Sequence, residues 1–149
     1  MKSPIPPLTL LCLLMAGCHT YETRRYDVTV HNRTAEPITI WLTKDGPPYE
    51  AAWLSPEDLA IESPRQNESR EIGGVILQPG KSASALRAGR FETATRAILR
   101  VYDGAVRFND LLAISRENPA RVDVALRPGN NEYSVEPGAG QLTVRRVEP

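Results

Sequence analysis

Few side chains in this sequence could carry out chemistry by their type and spacing. The two cysteines are Cys12 and Cys18, and the two histidines are His19 and His31. Neither histidine has further ligands at a spacing typical of a metal site, and we interpret His31 as a solvent-facing residue on a strand. The sequence has no nucleophile-elbow, zinc-protease, phosphate-loop or calcium-loop motif. It therefore predicts a non-enzymatic protein with no catalytic residue, no metal site and no cofactor.

The acidic pair Glu57–Asp58 stands in a pattern typical of a helix start. Ser55 is an N-cap candidate, Pro56 suits the first helical position, and Asp58 is placed to complete a capping box. Acidic residues in the first turn also favour the helix dipole. We therefore interpret the pair as helix capping and not as acid–base machinery.

The apolar run from Ile5 to Gly17 determines how Cys18 is interpreted. The run is shorter than the roughly 20 residues that a membrane span needs. With Lys2 before it and small residues at its end, it is typical of a secretory signal. Cys12 would leave with that signal, so an unmodified Cys18 would be an unpaired thiol in an exported protein.

The stretch Met15-Ala16-Gly17-Cys18 resembles the lipobox of bacterial lipoproteins, with Met15 where leucine is usual. The resemblance implies cleavage before Cys18, a thioether-linked diacylglyceryl group and an acylated amine. Two or more acyl chains give a stable membrane anchor. Because His19 follows in place of an aspartate, the resemblance also implies the periplasmic face of the outer membrane. The alternatives are ordinary secretion into the periplasm or beyond it and, less favoured, a retained anchor or a chance match.

These interpretations divide the chain into three parts. Residues 1–17 form the signal peptide, residues 18–25 the lipidated cysteine and a short tether, and residues 26–149 one folded domain. The chain has 18 basic and 18 acidic residues, which gives no electrostatic case for binding nucleic acid. Seven tether residues reach only about 25 Å when extended, so we expect the domain to lie close to its membrane.

Alternating apolar and polar residues dominate the rest of the chain and predict eight or nine half-buried strands. The predicted strands lie at 26–32, 37–43, 72–78, 82–88, 96–102, 106–115, 121–127, 131–136 and 141–147, of which 82–88 is poorly patterned and 106–115 could hold a helical turn instead. Pro-Gly turns, as at Pro79-Gly80 and Pro128-Gly129, separate several of them. The pattern predicts an all-β fold, an antiparallel two-sheet β-sandwich with one short helix in the 44–71 loop. It resembles immunoglobulin-like and transthyretin-like domains.

Three aromatic residues form a possible interaction surface. If Ile38, Ile40 and Leu42 face the core, then Trp41 faces the other way, and Tyr49 and Trp53 follow within the next loop. The three rings could bind a protein or a sugar. In the alternative interpretation, which we favour, the loop folds back and Tyr49 and Trp53 simply cover Trp41.

Three functions remain open from the sequence. The first is a membrane-anchored structural or protein-interaction lipoprotein with an envelope protein as partner. A more specific form follows from the order of lipobox, short tether, "ITIWL" strand, helix-bearing loop, "LQPGK" turn and "ILRVY" strand. That order is similar to the small outer-membrane lipoprotein of type VI secretion, and it implies a sandwich that docks an inner-membrane partner through a loop. The third is a carbohydrate-binding or peptide-binding module that takes a small ligand on its aromatic face.

Overall fold

The alternating segments build two four-stranded sheets in the computed structural model, which describes residues 20–62 and 74–148. The strands are β1 (Glu22–Asn32), β2 (Ile38–Lys44), β3 (Val75–Leu77), β4 (Ser82–Phe91), β5 (Ala97–Asp103), β6 (Arg121–Ala125), β7 (Gly129–Pro137) and β8 (Leu142–Arg146). The helices are α1 (Pro56–Glu62) and α2 (Phe108–Leu111), and a 3-10 turn spans Ala51–Trp53. This confirms the all-β sandwich with a short helix between β2 and β3.

Sheet I has the strand order β4-β1-β7-β8, and sheet II has the order β3-β2-β5-β6. All neighbouring pairs are antiparallel except β1 and β7, which run parallel from the Tyr26–Gly129 pair to the Asn32–Val135 pair. Parallel neighbours need a long connection. The whole of sheet II is threaded between β1 and β7 in the chain, which supplies that connection.

The main core lies between the sheets and consists of the inward-facing residues of both. Its completely buried members include Val30, Ile38, Leu99, Val101 and Val135. These positions alternate with more exposed neighbours along each strand, as the sequence pattern predicts.

A second, smaller cluster covers the outer face of sheet II. Trp41 and Tyr102 point outward from β2 and β5 and pack against Leu111 of α2, with Leu59 of α1 beside them. Sheet II is therefore buried on both faces, which explains why β2 is buried along most of its length.

The segment 106–115 holds the four-residue helix α2 and no strand. Phe108 and Leu111 are three residues apart and so share one face of α2, where they pack with Trp41 and Tyr102. The prediction of a strand at 106–115 was wrong, and the helical turn that the same segment could hold is the observed structure.

The two ends of the sandwich can be told apart by strand register. We call the end where β1 begins the proximal end. There Glu22 pairs with Phe91, Lys44 pairs with Ala97, and Tyr26 lies opposite Gly129. The connections 45–50, 92–96 and 126–128 therefore lie at the proximal end, and the turns 33–37, 78–81 and 138–141 lie at the opposite, distal end.

Candidate functional site

Cys18, the predicted lipidation site, lies outside the described residues, but the strand that follows it is well placed. β1 begins at Glu22, so only three residues separate it from Cys18. Four Cα-to-Cα steps span at most about 14 Å. The first strand thus starts four residues earlier than the predicted Tyr26, and a tether from Cys18 to it would be correspondingly shorter.

The early start of β1 has a structural cause that hydrophobic pattern does not reveal. Arg24 lies half-buried beside the 92–96 connection, where Nη1 donates to the Thr95 carbonyl at 2.8 Å and Nη2 to the Glu92 carbonyl at 3.3 Å. Its guanidinium lies 5.3 Å from the centre of the Phe91 ring and pairs with the carboxylate of Glu22. These contacts fix the first residues of the strand to the proximal end.

The 45–50 connection is held to the same end by Lys44 and Glu50. The Lys44 ammonium donates to Glu50 Oε2 at 2.6 Å and to the Arg90 carbonyl at 2.8 Å. Burial opposes ionisation of Glu50, but its hydrogen bonds from Lys44 and from the Arg90 N–H outweigh burial and lower the pKa of the carboxyl. The Glu50 carboxylate therefore stays charged in the folded protein.

Trp53 is part of the main core. It lies edge-on to Tyr26 at 5.5 Å and to Phe91 at 5.4 Å between ring centres, and Nε1 donates to the Ala88 carbonyl at 3.1 Å. A Cβ at residue 89 would lie 2.5 Å from Trp53 Nε1, so Gly89 is required for the indole to reach the backbone of β4.

Trp41 belongs to the second cluster on the other side of sheet II. Its Nε1 donates to the Leu54 carbonyl at 3.0 Å, and its ring lies 6.3 Å from that of Phe108. Trp41 faces away from Ile38 and Leu42, as predicted.

The predicted surface of Trp41, Tyr49 and Trp53 is therefore not formed by the described residues. Trp41 and Trp53 are buried in different clusters, while Tyr49 is 66% exposed. The favoured alternative also needs correction, because Trp53 covers Tyr26 and Phe91 and not Trp41. The loop does fold back, but its tryptophan enters the space between the sheets.

A charged cluster on the outer face of sheet II was missed in the sequence. The Glu57 carboxylate accepts hydrogen bonds from Arg100 Nη1 at 2.7 Å and from Arg121 Nη1 at 3.3 Å. Arg121 also forms a bidentate ion pair with Asp123, with both hydrogen bonds at 2.8 Å. Burial opposes ionisation of Glu57, but the hydrogen bond and positive charge of Arg100, together with hydrogen bonds from the Glu57 backbone and from Ser55, outweigh burial and lower the pKa of the carboxyl. The cluster attaches α1 to β5 and β6. In the sequence, the only sign of this cluster is that Arg100, Arg121 and Asp123 occupy polar positions of alternating strands.

Capping of α1 follows the predicted pattern. Ser55 N–H and Oγ donate to Asp58 Oδ2 at 2.9 and 2.7 Å, and the Asp58 N–H donates to Ser55 Oγ at 3.1 Å. Asp58 thus completes the capping box, while Glu57 has the separate role of binding the two arginines.

An apolar crevice opens between the edge strands β3 and β4. Ala83 and Ala85 of β4 face Ile40, Leu42 and other core residues across it, and Arg87 closes its proximal side by donating to the Ala52 carbonyl. Burial lowers the pKa of Arg87. Val75 of β3 lines the crevice and is 47% exposed, while the exposed side chains of Leu86 and Ile76 lie on the same two edge strands but outside its lining. An apolar recess beside an open strand edge is suited to a protein contact.

The edge of β4 is covered along only half of its length. At its proximal half, Trp53 and Glu50 bond to the backbone of Ala88 and Arg90. At residues 82–86, no described strand pairs with β4 on the side away from β1. An open edge beside an apolar crevice can accept an extended segment of another protein.

His31 lies in a hydrogen-bonded row on the outer face of sheet I. Its Nδ1 is 2.6 Å from Ser82 Oγ, and its Nε2 is 2.8 Å from Glu132 Oε1. A serine, histidine and carboxylate in contact could activate a nucleophile. The row lies across three adjacent strands of the sheet, and none of the recesses described for residues 20–62 and 74–148 is lined by Ser82, His31 or Glu132.

Within residues 20–62 and 74–148, no group of three or more histidine, cysteine or acidic side chains is arranged to hold a metal ion. Over the same residues, no helix is long and apolar enough to cross a membrane.

No family model matches the chain, and no curated protein matches it. Among solved structures, the chain is similar to the crystal structure of the type VI secretion system lipoprotein TssJ1 from Pseudomonas aeruginosa, with 14% sequence identity and a TM-score of 0.37. The similarity covers 86% of this chain and 99% of that one.

Proposed function

We propose that this protein is a non-enzymatic envelope lipoprotein, anchored through Cys18, whose sandwich binds another envelope protein close to the membrane. The observation that carries the proposal is the position of β1, whose first residue, Glu22, lies only four residues after Cys18. A lipid on Cys18 would hold the proximal end within about 14 Å of the anchor. Such a short tether suits docking at a fixed height and not a search for distant partners.

The contact surface in this proposal is the crevice between β3 and β4, together with the open edge of β4. Leu86 is 63% exposed on the open edge strand, between the lining residues Ala85 and Arg87, and takes no part in the main core. An extended partner segment could pair with residues 82–86 and place an apolar side chain in the crevice.

The test is purification of the lipidated protein from envelopes in mild detergent, with Cys18→Ala and Leu86→Asp as parallel samples. Mass spectrometry of the N-terminal peptide establishes whether Cys18 carries acyl chains. We expect a specific envelope protein to be retained by the wild type, to be lost with Leu86→Asp, and to be lost or reduced with Cys18→Ala. Unmodified Cys18, or a partner held equally by all three proteins, contradicts the proposal.

A more specific form of the same role is docking within a secretion assembly. It is favoured by helix α1, which lies between β2 and β3 where the resemblance to the type VI secretion lipoprotein implies a helical insertion. An inner-membrane protein among the co-purified partners supports this form, and a partner confined to the outer membrane contradicts it. The ligand-binding alternative receives no such support, because Trp41 and Trp53 are buried.

A further inference from the structure

Two arginines at the proximal end have free guanidinium groups. Arg96 lies in the connection between β4 and β5, and Arg127 lies in the connection between β6 and β7. Both are exposed, and neither side chain forms a hydrogen bond or ion pair with another described residue. Other cations there are already engaged, since Arg24 pairs with Glu22, and Lys44 and Arg90 both pair with Glu50. Arg96 and Arg127 are thus available to an external anion.

Acidic side chains at the proximal end are largely engaged within the protein. Glu22 and Glu50 pair with the cations just named. Asp45 accepts from the Arg96 backbone N–H at 2.5 Å, and Glu92 also has a bonding partner. These contacts reduce the repulsion that an approaching anionic surface would meet.

Two exposed tyrosines lie at the same end. Tyr21, just before β1, is 44% exposed and lies 5.7 Å from the Arg90 guanidinium. Tyr49 in the 45–50 connection is 66% exposed. Tyrosine is enriched where protein meets the headgroup region of a membrane, because its ring is apolar and its hydroxyl is polar. Arginine beside it can extend its charge to the phosphates.

We infer that the proximal end is a membrane-docking face for anionic phospholipid headgroups, with Arg96 and Arg127 binding the phosphates and Tyr21 and Tyr49 entering the interface. The inference rests on the proposed function, because lipidation at Cys18 brings this end to the bilayer. Docking there gives the domain one orientation, with the distal turns directed away from the membrane. Each arginine near an anionic surface contributes about a fivefold increase in the ratio of docked to free domains.

The experiment uses the full lipidated protein in vesicles. If Cys12 is removed and Cys18 is alkylated, a single introduced cysteine is the only free thiol. An environment-sensitive dye is placed at Ala94→Cys, which is exposed at the proximal end, or at Ala35→Cys, which is exposed at the distal end. Vesicles of phosphatidylcholine are compared with vesicles of phosphatidylcholine and phosphatidylglycerol. The variant is Arg96→Gln/Arg127→Gln, and Arg33→Gln/Arg107→Gln is its charge-matched control in distal connections.

We expect the dye at residue 94 to be quenched by spin-labelled lipid and shielded from iodide only when phosphatidylglycerol is present. The dye at residue 35 should remain in water. Arg96→Gln/Arg127→Gln should reduce the docked-to-free ratio about 25-fold, the product of two fivefold effects, and the control pair should leave it unchanged. Thermal unfolding of both double variants checks that they fold.

Failure of the inference and failure of the proposed function give different results. A protein that stays on the vesicles while the dye at residue 94 remains in water, or docks equally well without Arg96 and Arg127, overturns the docking face alone. A protein that does not stay on the vesicles, or whose Cys18 thiol reacts with the dye before any cysteine is introduced, overturns the lipid anchor itself.

Discussion

Lys44 and Glu50 form an ion pair with 2.6 Å between Nζ and Oε2, and the Lys44 side chain is only 2% exposed. The ammonium also lies 4.7 Å from the centre of the Phe91 ring. This pair joins the end of β2 to the segment that covers the proximal half of β4. A buried lysine depends strongly on its partner, because an unpaired buried charge is costly.

Glu50→Gln should destabilise the protein by about 2–3 kcal/mol, somewhat less than the 3–5 kcal/mol typical of breaking a fully buried pair, since Glu50 is partly exposed. Urea denaturation measures the change in the free energy of unfolding. Glu36→Gln, an exposed change in a distal turn, is the control and should fall within about 0.5 kcal/mol of the wild type. An equal effect of both changes contradicts the structural role of the pair.

Glu50→Gln should also change how the stability of the protein depends on pH. Because the pKa of Glu50 is lowered in the folded state, its contribution is fully present above the ordinary glutamate pKa of about 4.3. It is lost as the pH falls through the lowered folded-state value. Wild type should therefore lose more stability than Glu50→Gln between pH 6 and pH 3, as a rough range for carboxyl titration. If the free energy of unfolding falls equally with pH in both proteins, Glu50 does not contribute to acid sensitivity.

Trp53→Ala should be far more damaging than Tyr49→Ala. Trp53 fills the space beside Tyr26 and Phe91, and large-to-small changes of buried aromatic residues cost about 3–5 kcal/mol. Tyr49 is exposed, so its loss should cost less than about 0.5 kcal/mol. Thermal or urea unfolding separates the two. If Trp53→Ala costs little stability but abolishes partner binding, Trp53 has an interaction role instead.

Gly89→Ala tests the close approach of the indole to β4. The added Cβ would lie 2.5 Å from Trp53 Nε1, so the side chain must shift and its hydrogen bond to Ala88 is lost. We expect a cost of about 1–3 kcal/mol, typical of overpacking. A double-mutant cycle with Trp53→Phe isolates the cause, since the smaller ring leaves room for the Cβ. Equal costs of Gly89→Ala in both backgrounds would assign the effect to the backbone or to Glu50, whose Oε2 would lie 2.9 Å from the added Cβ.

Insertion of about 20 flexible residues between Thr20 and Tyr21 tests the short tether. Such a linker adds roughly 25 Å of average reach. We expect the amount of co-purified envelope partner to fall although Cys18 is still lipidated, because the domain no longer stays at a fixed height. A scrambled linker of the same length is the control for sequence effects. Unchanged recovery of the partner would show that height is not required.

Sequence pattern was sufficient for most of the sandwich. Alternation located the strands because one face of each is buried, and the predicted Pro-Gly turns are present, with positive φ at Gly80 and Gly129. The capping box of α1 was also predictable, since its residues are neighbours in the chain.

The features that could not be predicted depend on contacts between segments that are distant in the sequence. Residues 22–25 show no hydrophobic alternation, and Arg24 holds them in β1 through carbonyls about 70 positions away. The burial of Trp53 requires Gly89 in β4, and Glu57 binds arginines from β5 and β6. Local periodicity carries no information on such pairings.

The place of β1 within sheet I determines how the molecule would bear a pulling force. The strand nearest to Cys18 is internal, paired with β4 from Glu22 to His31 and with β7 from Tyr26 to Asn32. Tension between a membrane anchor and a distal partner would therefore load two ladders of hydrogen bonds in shear, all at once. An edge strand with one neighbour would have a single ladder to resist the same force. The topology makes the first strand a mechanical attachment point as well as the start of the fold.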